Sequence, residues 1–170
     1  MKIALKLAFD ERAALRLLNW LAQENARILR AQTDLPLLYD SGVTYRRELD
    51  ETWCDYLNML AQGREDCDGL AAARAGELLA RGWLALRPGD QGFELAQSIQ
   101  PRTIAAEVLL TTRSEPNNPG LYHCIVRYLL DGRWLRDDPS ARLGMHRGRI
   151  DPHVRQRWAA RAGSSAWRTA

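Results

Sequence analysis

The stretch between Asp66 and Gly82 limits what this chain can fold into more than any other. Its body, Leu70-Ala71-Ala72-Ala73-Arg74-Ala75-Gly76-Glu77-Leu78-Leu79-Ala80, is crowded with small side chains. Ala and Leu favour the helix, and small side chains let a helix lie close against its neighbours. The segment is therefore expected to be a central, buried helix. Asp66 is placed to cap it, Cys67 and Asp68 fall in its first turn, and Gly82 stops it.

The flanking patterns supply the rest of the fold. Ile3, Leu5, Leu7 and Phe9 alternate with Ala4, Lys6 and Ala8, as in a half-buried strand. Asp10 offers an N-cap to a long helix whose apolar stripe is Ala14, Leu17, Leu18, Leu21 and Ile28. That stripe fades at Thr33-Asp34 and Pro36 breaks it. Asp40-Ser41-Gly42 reads as a turn before an extended piece, Val43 to Arg47, and a second helix is expected over Glu51 to Leu60, ending near Gly63.

After the central helix the period changes to two. Trp83 to Arg87, Thr103 to Thr112, Tyr122 to Leu130 and Trp134 to Asp138 read as strands. They are separated by Pro88-Gly89, Pro101, Asn117-Asn118-Pro119-Gly120 and Asp131-Gly132, while Gln91 to Gln100 fits neither pattern. Helices first and strands later indicate an α+β fold with N-terminal helices on a mainly antiparallel sheet. With 170 residues, one domain is expected over 1–150, followed by a basic helix and tail over 151–170. No repeat, low-complexity tract or linker is visible.

Charge and cysteine usage narrow the function. Lys+Arg is 24 against 21 Asp+Glu, a net +3. The excess gathers near the end, at Arg142, Arg147, Arg149, Arg155, Arg157, Arg161 and Arg168, and reads as a solvated helix and tail. Nucleic-acid binding needs charge clustered on a folded face, so no such partner is expected. No run approaches the roughly 20 apolar residues that span a bilayer, and Lys6 interrupts the N-terminal apolar run. Three cysteines, an odd number, argue against a disulfide framework and for a reducing compartment: the cytoplasm, or a packaged virion.

Nucleophilic cysteine chemistry needs a thiolate, a histidine that takes and returns a proton, and a carboxylate that orients the imidazole. Cys67 stands at a helix N-terminus, where unpaired N–H groups and the helix dipole favour a negative sulfur. Asp131-Gly132 is a two-residue hairpin signal. With that loop Leu130 faces Arg133, Ile125 lies opposite Asp138, and His123 becomes the diagonal neighbour of Asp138 on one face. Diagonal neighbours lie about 7–8 Å apart, within reach of His and Asp side chains. Asp137 points to the other face.

Taken singly, each residue has a plainer reading: a small buried hydrophobe, a hydrogen-bonded strand histidine, an aspartate opening a turn. Only their joint placement points to chemistry. The Cys67 backbone N–H is the natural oxyanion donor, with the Trp53 indole or the Gln62 amide as a second, although Trp53 competes with Trp20, Trp83 and Trp134 for the interior. Cys124 alternates away from His123, so no Cys–His zinc pair is expected. His146 and His153 read as surface, and Gly144 and Gly148 lack the context of a phosphate loop. No cofactor or metal is expected.

Three strings, Asp66-Cys67-Asp68-Gly69-Leu70-Ala71, Tyr122-His123-Cys124-Ile125-Val126-Arg127 and Asp138-Pro139-Ser140, resemble the transglutaminase-like branch of the papain-like cysteine enzymes. The likeness is to its small bacterial and phage members. Ser41-Gly42-Val43-Thr44-Tyr45 and Trp53 are similar too, and the resemblance spans residues 38–146. It implies a papain-like core and a Cys67–His123–Asp138 triad acting on an amide bond. The activity would be that of a peptidase, an amidase or a transglutaminase-like acyltransferase, with a protein, peptide or cell-wall amide as substrate.

Two positions depart from the pattern. Glu65 stands where a glycine often precedes Asp-Cys, and Gly69 where a second acid usually follows. Glu65 is expected to set another carboxylate near the sulfur and oppose the thiolate. Should the acids prevail, the fold serves a non-catalytic interaction or structural role with a protein partner, such as a phage or prophage virion component.

Overall fold

The computed structural model describes residues 2–4, 10–47, 52–86, 104–115 and 118–145. The strand expected over Ile3 to Phe9 is described only as β1 (Lys2–Ala4), and the tail over 151–170 lies outside the described residues. Helix α1 (Glu11–Ala31) starts where the sequence places it: the Asp10 carboxylate accepts the N–H groups of Arg12 and Ala13 at 2.9 and 3.2 Å. Its apolar stripe is buried from Leu18 to Leu29.

The central helix α3 (Cys67–Arg81) is buried at every residue from Asp68 to Leu78. It packs on α1 along one side and, along the other, on the sheet described next. Gly76 sets the closeness of the two helices. A Cβ there would stand 2.6 Å from Asn25 Cβ and 2.8 Å from the Ala22 carbonyl oxygen, so only glycine permits this approach.

The sheet contains β5 (Ala105–Glu115), β6 (Asn118–Leu130) and β7 (Arg133–Asp137), antiparallel throughout, with β6 in the middle. Asp131 and Gly132 take positive φ angles of 48° and 76°, as a tight primed turn requires, and Leu130 pairs with Arg133. The register runs without a bulge to Val126 opposite Asp137, where β7 ends. The outer edge of β5 is closed by α1: the Asn19 side chain accepts the Val108 N–H at 2.9 Å and donates to the Val108 carbonyl at 3.3 Å. The main core lies between α1, α3 and this sheet, and a second cluster joins α2 (Tyr56–Gln62), α3 and the Leu38–Asp40 turn.

Several expectations are corrected. The helix expected over Glu51 to Leu60 begins only at Tyr56, because Asp55 caps it through the Asn58 N–H at 3.0 Å. The preceding Thr52–Cys54 forms β3, paired antiparallel with β1. Val43 to Arg47 shortens to β2 (Thr44–Tyr45), parallel to β4 (Arg64–Glu65). Trp83 to Arg87 is no strand: Gly82–Leu84 makes a single 3-10 turn at the end of α3, and Arg87 lies outside the described residues. The turn expected over Asn117 to Gly120 is narrower, since β6 already includes Asn118 to Gly120. Of the tryptophans expected inside, Trp53 is buried, but Trp20 and Trp134 are 43% and 52% exposed. The Arg127 guanidinium covers the Trp134 ring at 4.8 Å instead. Among the described residues, no helix is long and apolar enough to cross a membrane.

Candidate active site

Cys67 is the first residue of α3, with Asp66 at the cap position but making no side-chain cap bond. The N–H groups of a helix's first turn have no partner within the helix, so donors converge at this sulfur's end of α3. His123 lies on β6 and is 4% exposed. Its Nε2 donates to Asp138 Oδ2 at 2.8 Å, the diagonal contact that the hairpin register calls for. The other ring nitrogen, Nδ1, is buried and lacks a hydrogen-bond partner among the described residues.

Asp138 is fixed from two sides. While Oδ2 holds the imidazole, Oδ1 accepts the Ala141 N–H at 3.0 Å and caps the short helix α4 (Pro139–Arg142). Proline at the first helical position suits that turn, because its missing N–H would be unpaired there anyway. The Asp-Pro-Ser string is therefore both a helix start and a clamp on His123.

The end of β7 explains how α3 reaches this pair. Among the described residues, β6 has no neighbour on that side before Val126. Val108 directs its N–H and C=O to Asn19 rather than to Val126, and alternation makes Cys124, paired with Leu110 two positions along, turn its N–H away from β5 too. That N–H, directed at the open edge, helps to lower the Cys67 pKa. Cys67, at the start of α3, packs against the core cluster that contains Cys124, and both His123 and Cys124 act on its ionisation. Alternation does place His123 and Cys124 on opposite faces, but it does not separate them from a third group at the strand edge. Cys124 is the site residue the sequence reading set aside.

The electrostatics follow from this geometry. The Cys124 thiol and backbone N–H and the His123 imidazole hold the Cys67 thiol well below its ordinary value of 9.0, against the opposing pull of burial. Burial alone would lower the His123 pKa, but the hydrogen bond to Asp138 and the charges of Asp138 and Cys67 push it up from 6.5 to about 9. The two shifts belong to one thiolate–imidazolium pair.

Of the three acids beside Cys67, Glu65 and Asp68 are engaged elsewhere, while Asp66 Oδ1 is buried without a hydrogen-bond partner among the described residues. Glu65 is buried, accepts the Cys54 thiol at 2.8 Å and takes the Asp66 N–H on its other oxygen at 3.1 Å. Asp68 accepts the Trp53 indole N–H at 2.5 Å. That bond occupies the donor considered for the oxyanion, and the Gln62 amide donates to Cys54 Sγ at 3.4 Å. Of the three oxyanion donors weighed, the Cys67 backbone N–H is the one the helix leaves unpaired. Among the described residues, no group of three or more His, Cys, Asp or Glu side chains is placed to hold a metal ion.

Comparison with known proteins adds nothing to this geometry: no family model, curated protein or solved structure matches the chain.

Proposed function

We propose that this chain is a thiol hydrolase or acyltransferase of the transglutaminase-like, papain-like kind, acting on an amide bond. One observation carries the proposal: His123 is clamped by Asp138 through Nε2, while its buried, unpartnered Nδ1 remains available beside a cysteine at the start of a buried helix. The Cys67 thiolate attacks the amide carbonyl. The backbone N–H of Cys67 faces the developing oxyanion, and the His123 imidazolium gives its proton to the leaving amine. Asp138 stabilises the imidazolium throughout. His123 then deprotonates water or an incoming amine, which releases the acyl group from Cys67. Hydrolysis of a peptide or cell-wall amide is the favoured outcome.

The decisive test is site-resolved iodoacetamide labelling across pH, on the wild type and on His123→Ala. Cys67 should label on the acid side of neutrality, faster than Cys54 and Cys124, and lose that advantage in the variant. Ordinary labelling of Cys67, indifferent to His123, would sink the enzyme reading and leave the fold as a binding module.

A further inference from the structure

The helix that fixes Asp138 is joined to the centre of the molecule by one exposed side chain. α4 has four residues, too few to form a stable helix unaided, yet its Ala141 N–H holds Asp138 Oδ1. Where Oδ2 points therefore depends on what holds α4. Behind the helix, the Tyr45 N–H donates to the Leu143 carbonyl at 2.8 Å. At its last residue, the Arg142 guanidinium stands over the Tyr39 ring, 4.0 Å from the centroid, and 3.9 Å from Asp137 Oδ1. Tyr39 is itself anchored: its hydroxyl donates to Asp137 Oδ2 at 2.8 Å, and the buried Arg74 guanidinium lies 4.6 Å from its ring. We infer that Arg142 is a positioning residue, which by stacking on Tyr39 seats α4 so that Asp138 Oδ2 meets the His123 imidazole.

Two observations separate this task from general support of the fold. The Arg142 side chain is 39% exposed, so its long ion pair with Asp137 contributes little, and the contact with an anchored ring is what it supplies. Nor does the buried cluster depend on it, since Asp137 Oδ2 still accepts from Arg74 and Tyr39. Removing Arg142 leaves that cluster paired and frees α4.

The surrounding charges give the inference a sign. Asp138, just after β7, and Cys67, at the start of α3, act directly on the imidazole. Arg142 from α4, Arg74 from α3 and Tyr39 from the turn after α1 all face Asp137. A cation acting only through its field opposes protonation of His123, so its removal would raise the His123 pKa. A cation that seats Asp138 favours protonation, so its removal lowers it. As a contribution to catalysis this rests on the thiol-enzyme reading. The seating itself is read on the imidazole.

The test is NMR titration of the His123 ring in the full chain, as wild type, Arg142→Met, Arg142→Lys, Asp138→Asn and the Asp138→Asn/Arg142→Met pair, with urea unfolding of each. Arg142→Met should lower the His123 pKa from about 9 toward 6.5 while the urea midpoint moves little. Arg142→Lys, which keeps a cation for the ring, should recover part of the shift. The double variant should titrate where Asp138→Asn alone does, because Arg142 acts through Asp138. An unmoved or raised pKa in Arg142→Met overturns the inference, as does an equal shift without the Asp138 carboxylate. Loss of the fold in Arg142→Met overturns it too, by making Arg142 a structural residue. Parallel iodoacetamide labelling of Cys67, with and without His123, separates the two proposals. An unmoved His123 beside a reactive, His123-dependent Cys67 defeats this inference alone. A lowered His123 pKa with Cys67 indifferent to His123 upholds it and defeats the enzyme reading.

Discussion

At the scale of single residues, Asp138 shows how a turn-forming aspartate also serves a site. Asparagine caps helices about as well as aspartate, so Asp138→Asn should keep α4 while removing the anion from the imidazole. The His123 pKa should then fall from about 9 back toward 6.5, read by NMR titration of the ring; an unmoved titration would show that Asp138 does not hold the charge. The same shifts set the pH profile. Activity toward an amide should be lost above about 9, where His123 gives up the proton that the leaving amine needs. On the acid side it should be lost where the Cys67 thiolate is protonated, well below the ordinary thiol value of 9.0. A kcat/KM profile without that alkaline limb would contradict the role given to His123.

Glu65 and Gly69, the two positions that depart from the pattern the sequence resembles, form one feature. A Cβ on Gly69 would stand 2.4 Å from Glu65 Cγ, so the buried glutamate occupies the space that a side chain at 69 would need. Gly69→Ala should therefore destabilise the fold by about 1–3 kcal/mol through overpacking, despite alanine's better helix propensity. Adding Glu65→Ala should relieve that clash, giving a favourable coupling energy in a double-mutant cycle followed by urea unfolding.

Among the elements, the contact between α1 and α3 is the tightest constraint. The atoms facing Gly76 belong to α1 backbone and Cβ positions, which cannot swing away. Gly76→Ala should cost about 1–3 kcal/mol, again by overpacking, and move the urea midpoint accordingly; a stabilised variant would show that the helices can part. The elements misread from sequence fail for identifiable reasons. Thr52–Cys54 is extended because β1 pairs with it, a non-local contact that no window around residue 52 contains. Trp83 and Leu84 have strand-like composition, but the chain must turn at Gly82 to leave α3.

Across the whole molecule, the deepest feature is a buried cluster of charge around Arg74, which is 1% exposed. Its guanidinium donates to Asp137 at 2.7 Å, to Glu77 at 2.6 Å and to the Ala85 carbonyl at 2.9 Å. Glu77 also accepts the Leu38 N–H at 2.6 Å, and Tyr39 donates its hydroxyl to Asp137 at 2.8 Å. The cluster ties the centre of α3 to the turn after α1 and to the last residue of β7, beside Asp138. Burial and the Asp137 carboxylate push the Tyr39 pKa up, so it stays a neutral donor. Arg74→Met would leave two buried carboxylates without their cation and should destabilise the chain by about 3–5 kcal/mol. A variant as stable as wild type in urea would show that the cluster can be replaced by packing.

The sequence by itself determined the parts whose cause is local. The Asp10 cap, the small-residue helix and the Asp131-Gly132 turn each depend on a few adjacent residues, and the turn fixes the hairpin register that selects His123 and Asp138 over Asp137. What only the tertiary structure decided depends on non-local contact. Asp137 and Asp138 are adjacent acids of one residue type. One is neutralised by an arginine 63 positions earlier in the chain, and the other clamps a histidine 15 positions earlier. The edge of β6 at Cys124 is open because β7 stops at the partner of Val126, two residues short of it. No periodicity records that, since it is set by where separate elements end in space.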